Sequence, residues 1–288
     1  MADNAYLDRV AALCRRVGEA VPGLRFTMLE VGALPLGEGG AEPFYQLLDG
    51  FPGSRVIAFE TDQQLCERLN AGARPGLRYY PVALGRRDEM RTFYETRHPA
   101  CASLYEPDEQ MFGKYHHLDV AGLKAKRSIQ TIDLDSFAAR EQIGSVDFIK
   151  IDVQGAELDV FQGGAEVLQG VVFIVGEVGF IPLYKQQPLY GDVNTHLSGC
   201  GFMFHRFLGL EGRTIQPVVL NNDPLFATQH MWSDALFIRD LDRLEALEPH
   251  KVVKLGVLAY LYGSVDVAYY CFNYYDDRHR TSLHTAIA

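Results

Sequence analysis

Short apolar runs recur along the chain and alternate with stretches whose apolar positions fall three and four residues apart. RFTMLEVG (25–32), SRVIAFE (54–60), LRYYPVALG (77–85), VDFIKID (146–152) and VVFIVGEV (171–178) predict strands, with helical patterns between most of them. That alternation predicts a parallel sheet, and the continuous apolar character of several runs fits strands covered by helices on both faces. GFMFHRFLGL (201–210) and SDALFIRD (233–240) would complete a seven-stranded sheet. Ahead of it, Leu7, Val10, Cys14 and Val17 mark a leading helix that stops at Pro22-Gly23. Residues 86–128 break the rhythm with mixed polar and aromatic sequence, which predicts an insertion over the crevice. The expected organisation is an N-terminal helix (1–24), a main domain (25–242) and a C-terminal helical appendage (243–288).

The stretch VVKLGVLAYLYGSVDVAYYCFNYY (252–275) is apolar and long enough to span a bilayer. Lys254 and Asp266 would each be costly in hydrocarbon, and Gly263-Ser264 divides it, so two helices with tyrosines as core or oligomer contacts are expected. At 288 residues, 48% of them hydrophobic, the chain can bury a large core. A net charge of −10 offers no general attraction for phosphate backbones, which argues against a nucleic-acid partner. Five scattered cysteines without a C-x-x-C pair speak against a disulfide framework or a thiolate zinc site. With acids rather than a basic and apolar leader in MADNAYLDRV, a cytoplasmic protein is expected.

Candidate chemistry lies where strands end. In FIKIDVQGAELDVFQGG (148–164), Asp152 ends a strand, where open α/β sheets line their ligand crevice, whereas Glu157 falls in a first helical turn, where the dipole favours a carboxylate in any protein. The first strand runs into LEVGALPLGEGG, joining Glu30 to glycines 32, 37, 39 and 40 before a helix expected near Ala41. Such a loop permits close approach of a ligand to the backbone, and the helix start favours a negative group. The G-x-G-x-x-G dinucleotide fingerprint is absent, which weakens a nicotinamide-cofactor reading. Glu60 ends the second strand, where an acid can hold two ribose hydroxyls.

These motifs, together with YYPVALG, ASLYEP (102–107), GEVGFIPLY (176–184) and SDALFIRD, resemble the FkbM-type S-adenosylmethionine-dependent methyltransferases over roughly residues 28–240. The resemblance implies an α/β fold, Rossmann-like and class I, with a seven-stranded mostly parallel sheet whose last strand is antiparallel, and O-methylation of a sugar or polyketide hydroxyl. Carried over by position, Glu30, Gly32 and Gly37 match the first cofactor motif, Glu60 the ribose acid, Val82 and Ala83 the adenine region, and Asp152 the methyl end of S-adenosylmethionine. Leu36 stands where many relatives have the second glycine, and Gln154 where they often have Glu. An attacking hydroxyl must lose a proton, so Asp152 is the first candidate base. Alternatively Asp152 and Glu177 hold a Mg or Mn ion that acidifies the hydroxyl. Glu177 could equally be a buried acid paired with Lys150, and His205 a satisfied core histidine rather than a catalytic one. Ser103, Tyr105 and Tyr184 are candidate acceptor contacts, with a small molecule or glycan as the expected partner. Two other classes stay open: a noncatalytic S-adenosylmethionine-binding or assembly protein, and an NAD-dependent oxidoreductase.

Overall fold

The computed structural model describes residues 4–34, 42–223, 226 and 228–287. The strands of the main sheet are β1 (Thr27–Val31), β2 (Arg55–Glu60), β3 (Leu77–Pro81), β7 (Phe148–Ile151), β8 (Phe173–Gly179), β9 (Phe202–Phe207) and β10 (Trp232–Arg239). Their spatial order is β3-β2-β1-β7-β8-β10-β9, and β10 runs antiparallel to both neighbours. All seven runs expected as strands are therefore present, in one mostly parallel sheet with its last strand reversed. The strand order turns back beside β1, which opens a crevice at the carboxyl ends of β1 and β7.

Alternation along each strand separates two apolar cores. Phe26, Met28, Val56, Phe148, Phe173, Val175, Leu236 and Ile238 face one way, and are covered by α1 (Asn4–Ala20), α9 (Pro249–Leu261) and α10 (Val265–His279). Leu29, Ile57, Ile149, Ile151, Ile174 and Phe237 face the other way, beneath α5 (Leu134–Arg140), α6 (Glu157–Gln162), α7 (Ala165–Gly170) and α8 (Tyr190–Gly199). The apolar stretch at 252–275 forms most of α9 and most of α10, which share one core with the sheet and α1. No helix among the described residues is long and apolar enough to cross a membrane. In α1, Val10, Leu13, Cys14 and Val17 supply the buried stripe, and Leu7 is 38% exposed, so the inward face begins a turn later than the spacing suggested.

Two expectations need correction. LRYYPVALG is not one strand. It breaks at Val82, so that β3 stays in the main sheet while β4 (Ala83–Gly85) joins a three-stranded sheet of order β4-β6-β5. Nor is the 86–128 region merely irregular. β5 (Glu89–Thr96) pairs antiparallel with β6 (Leu123–Asp133), and their period-two alternation was obscured because both faces carry charged and aromatic residues.

Candidate active site

The crevice is lined by the ends of β1, β2 and β7. Gly32 follows β1 with φ +85°, and a Cβ there would lie 1.9 Å from the Asp152 carbonyl oxygen. Only glycine lets the two strand ends approach this closely. The Asp152 N–H donates to the Val31 carbonyl (2.9 Å), and the Gly32 and Ala33 N–H groups donate to the Phe59 carbonyl (3.1 and 2.9 Å), so three strand ends are tied into one rim.

Above this rim lies a cavity of about 430 Å³ whose wall includes Gly32, Glu60, Val82, Ala83, Ser103, Asp152 and Gln154. That volume falls within the roughly 300–1,000 Å³ typical of small-molecule sites. Phe93 and Glu95 from β5, and Lys124 and Arg127 from β6, complete the wall. Arg127 is set by Glu95 (Nε to Oε1, 2.9 Å) and lies 4.7 Å from the centre of the Phe93 ring. At the β2 end, one Glu60 oxygen accepts from the Thr61 and Asp62 N–H groups (2.6 and 3.0 Å), which orients the carboxylate at the cavity edge.

At the β7 end three carboxylates converge. Single oxygens of Asp152, Glu157 and Glu177 lie within 4.8 Å of one another. The Gln154 side-chain nitrogen donates to both Asp152 Oδ1 (2.7 Å) and Glu177 Oε2 (2.8 Å). Glu157 is committed elsewhere: its Oε1 accepts from the Val153 and Gly155 N–H groups (2.9 and 3.2 Å), and it is 4% exposed. It thus closes the turn before α6 from inside the protein, a tie beyond the helix-dipole role expected from its place in the first turn. Burial, partly offset by these N–H donors and reinforced by the Asp152 charge, pushes the Glu157 carboxyl up to about 7. Burial, then the neighbouring Asp152 and Glu157, also holds the Glu177 carboxyl well above the ordinary value. Low dielectric and crowded like charges favour a proton in this cluster at neutral pH.

The alternative Glu177–Lys150 pair is not formed. Lys150 Nζ reaches Asp234 Oδ1 (3.2 Å), because β10 places Asp234 opposite Glu177 in the register and within reach of β7. Burial opposes the Lys150 charge, yet Asp152, Asp234 and Glu42 outweigh it and hold its pKa above the usual lysine value.

Of the other sequence candidates, Glu30 lies off the cavity wall. Its carboxylate accepts from the Tyr45 hydroxyl, and burial raises its pKa first of all. Tyr105 turns its hydroxyl to Asp159 (3.1 Å). Tyr184 is buried, and its hydroxyl lies 3.0 Å from Gln154 Oε1 and 2.9 Å from the Cys101 carbonyl. His205 bonds Ser264 Oγ (2.8 Å) between α9 and α10, away from the crevice, and burial lowers its pKa. Gly37 and the helix start near Ala41 lie outside the described residues. Sequence reading missed Gln154 as the link between the acids. The only signal was its place between an acid and a glycine, which in the structure allows a left-handed turn at both Gln154 (φ +55°) and Gly155 (φ +97°).

This strand order, with one reversed strand and a cavity at the carboxyl ends, defines the class I S-adenosylmethionine-dependent methyltransferase fold. Within that class the chain belongs to the methyltransferase FkbM domain family, whose pattern matches residues 30–204. It is 28% identical over 141 residues to the 2-O-methyltransferase NoeI of Sinorhizobium fredii, an alignment covering 47% of this chain and 58% of that protein. The chain therefore matches little more than half of that relative's length. Among solved structures it is similar to the magnesium protoporphyrin IX methyltransferase of Synechocystis PCC 6803 (10% identity, TM-score 0.35, 81% of this chain and 78% of that one). It is also similar to the 23S rRNA methyltransferase ErmE (12% identity, TM-score 0.33, 93% and 82%). These two distant likenesses carry no argument about the acceptor.

Proposed function

We propose that this protein is an S-adenosylmethionine-dependent O-methyltransferase that acts on a hydroxyl of a sugar, a glycan or a glycosylated natural product. The observation that carries the reading is one cavity with Glu60 at one end and Asp152 at the other, spanning the carboxyl ends of β2 and β7. Its chemistry suits the cofactor: an acid at the edge for a ribose diol, an apolar strip at Val82-Ala83 for a purine face, and carboxylates at the far end for a cationic centre. When bound, the cofactor would supply an electrophilic methyl group. Asp152, held beside Glu177 by the Gln154 amide, would accept the proton of the incoming hydroxyl. Membership in the FkbM family and the 2-O-methyltransferase activity named for the Sinorhizobium relative support a hydroxyl acceptor.

The test is transfer of labelled methyl from S-adenosylmethionine to a panel of glycosides, with bulk RNA and DNA alongside. Incorporation into a glycoside, faster than into nucleic acid, is expected. Labelling of RNA or DNA alone, or of nothing, defeats the reading. Calorimetry with S-adenosylmethionine, S-adenosylhomocysteine and NAD separates the remaining classes. Tight binding of the first two without turnover on any acceptor marks a noncatalytic protein, and binding of NAD alone marks an oxidoreductase.

Glu60→Ala should weaken S-adenosylhomocysteine binding about ten- to hundredfold, the loss of a charged acceptor worth ~1.5–3 kcal/mol, in a protein that stays folded. Titration calorimetry reads this directly, and an unchanged Kd would remove Glu60 from the ribose site.

A further inference from the structure

We propose that Gln154 is a positioning residue, which holds the Asp152 and Glu177 carboxylates side by side and ties to them the two segments that cover the β7–β8 side of the crevice. This rests on the methyltransferase reading and adds to it a part for a residue with no charge. Both protons of the Gln154 amide nitrogen are spent, one on each carboxylate (2.7 and 2.8 Å). The amide orientation is assigned from its partners: with the nitrogen toward the two acids it donates to both, and with the oxygen outward it accepts from the Tyr184 hydroxyl. With Oε1 outward, the Tyr184 hydroxyl at 3.0 Å is shared between that oxygen and the Cys101 carbonyl. Tyr184 is therefore held by both the β7 turn and the insertion.

The backbone of Gln154 is tied as well. Its carbonyl accepts from Ser103 Oγ (2.7 Å), and that hydroxyl in turn accepts from the Tyr105 N–H (2.9 Å). The left-handed φ of +55° is uncommon for a residue with a side chain and persists only where surrounding contacts hold it. Here those contacts come from the insertion through Ser103, from the segment after β8 through Tyr184, and from two catalytic-site acids through the amide. A purely apolar side chain of the same length would fill the space and make none of the polar contacts. Gln154 also lines the cavity, so this junction lies where a bound acceptor would press on it.

The test uses Gln154→Met, close in size, and Gln154→Glu, which keeps an oxygen acceptor for Tyr184. In Gln154→Met with S-adenosylhomocysteine bound, amide-exchange protection of 101–105 and 183–187 should fall about tenfold, while the sheet interior is unchanged. On the glycoside that the wild type methylates, kcat should fall about thirtyfold or more in both variants, since neither side chain donates to the two carboxylates, with the S-adenosylhomocysteine Kd of Gln154→Met within about threefold. Unchanged protection in Gln154→Met overturns the proposal. So does a kcat within about threefold of wild type, or a parallel loss of kcat, Kd and folding in both variants. A wild type that methylates no glycoside defeats the functional reading instead, and the exchange measurement still decides what Gln154 holds.

Discussion

Asp152→Asn is expected to lower kcat by about 10²–10⁴-fold while S-adenosylhomocysteine still binds within about threefold of wild type. The substitution keeps the side chain's shape and its place at the end of β7, so the Gly32 contact to the Asp152 carbonyl is undisturbed. What disappears is the one cluster carboxylate that lines the cavity directly. The amide oxygen can still accept from the Gln154 nitrogen, so the loss reports the missing charge and basicity. Addition of EDTA to the wild type should leave turnover intact. The Gln154 amide already sits between Asp152 and Glu177, and Glu157 is spent on backbone N–H groups, so a metal would have to displace bonds at all three acids. Loss of activity on chelation, restored by Mg²⁺ or Mn²⁺, would assign the acids to an ion instead. Near-normal turnover of Asp152→Asn would make the strand-end acid structural.

Asp147→Ala is expected to destabilise the fold by about 3–5 kcal/mol, because it removes the carboxylate that pairs two buried ammonium groups. Asp147 is 1% exposed and precedes β7. Its Oδ1 accepts from Lys251 (2.5 Å) and Lys254 (2.8 Å), and its Oδ2 from Lys254 (2.9 Å) and from the Thr27 N–H (2.8 Å). One carboxylate thus joins α9 to the starts of β1 and β7. Burial lowers the Lys251 pKa, with Asp147 as the main opposing influence, so losing the acid leaves that charge without its chief support. A denaturant titration should show the loss in the midpoint, and a thermal midpoint lower by on the order of 10 °C should accompany it. A midpoint unchanged within error would mean that Ser145, Val146 and Gly170 alone satisfy Lys251.

Lys251 and Lys254 show why the C-terminal stretch was only partly legible. Its charges and Gly263-Ser264 correctly argued for two helices rather than a span, since Lys254 is paired within the protein. Nothing local indicated that these helices complete the core on one sheet face, because their partners lie more than a hundred residues away, as at Lys254 and Asp147. The break of 77–85 at Val82 was hidden for a related reason: both halves carry strand-like residues, and only pairing with β6 draws Ala83–Gly85 into the smaller sheet.

By itself the sequence determined the seven strands, the crevice at their carboxyl ends, and the strand-end residues Gly32, Glu60 and Asp152 that meet around one cavity. Those features are local: hydrophobic period marks a strand, and the residue after it falls at the strand's end whatever else the chain does. Tertiary structure alone decided the rest. It paired Lys150 with Asp234 instead of Glu177, took Glu30 and His205 out of the cavity wall, and made Gln154 the meeting point of groups 51 and 30 residues distant, Ser103 and Tyr184. Side-chain hydrogen bonds across such separations depend on strand register and loop path, and neither leaves a periodic mark in the chain that forms them.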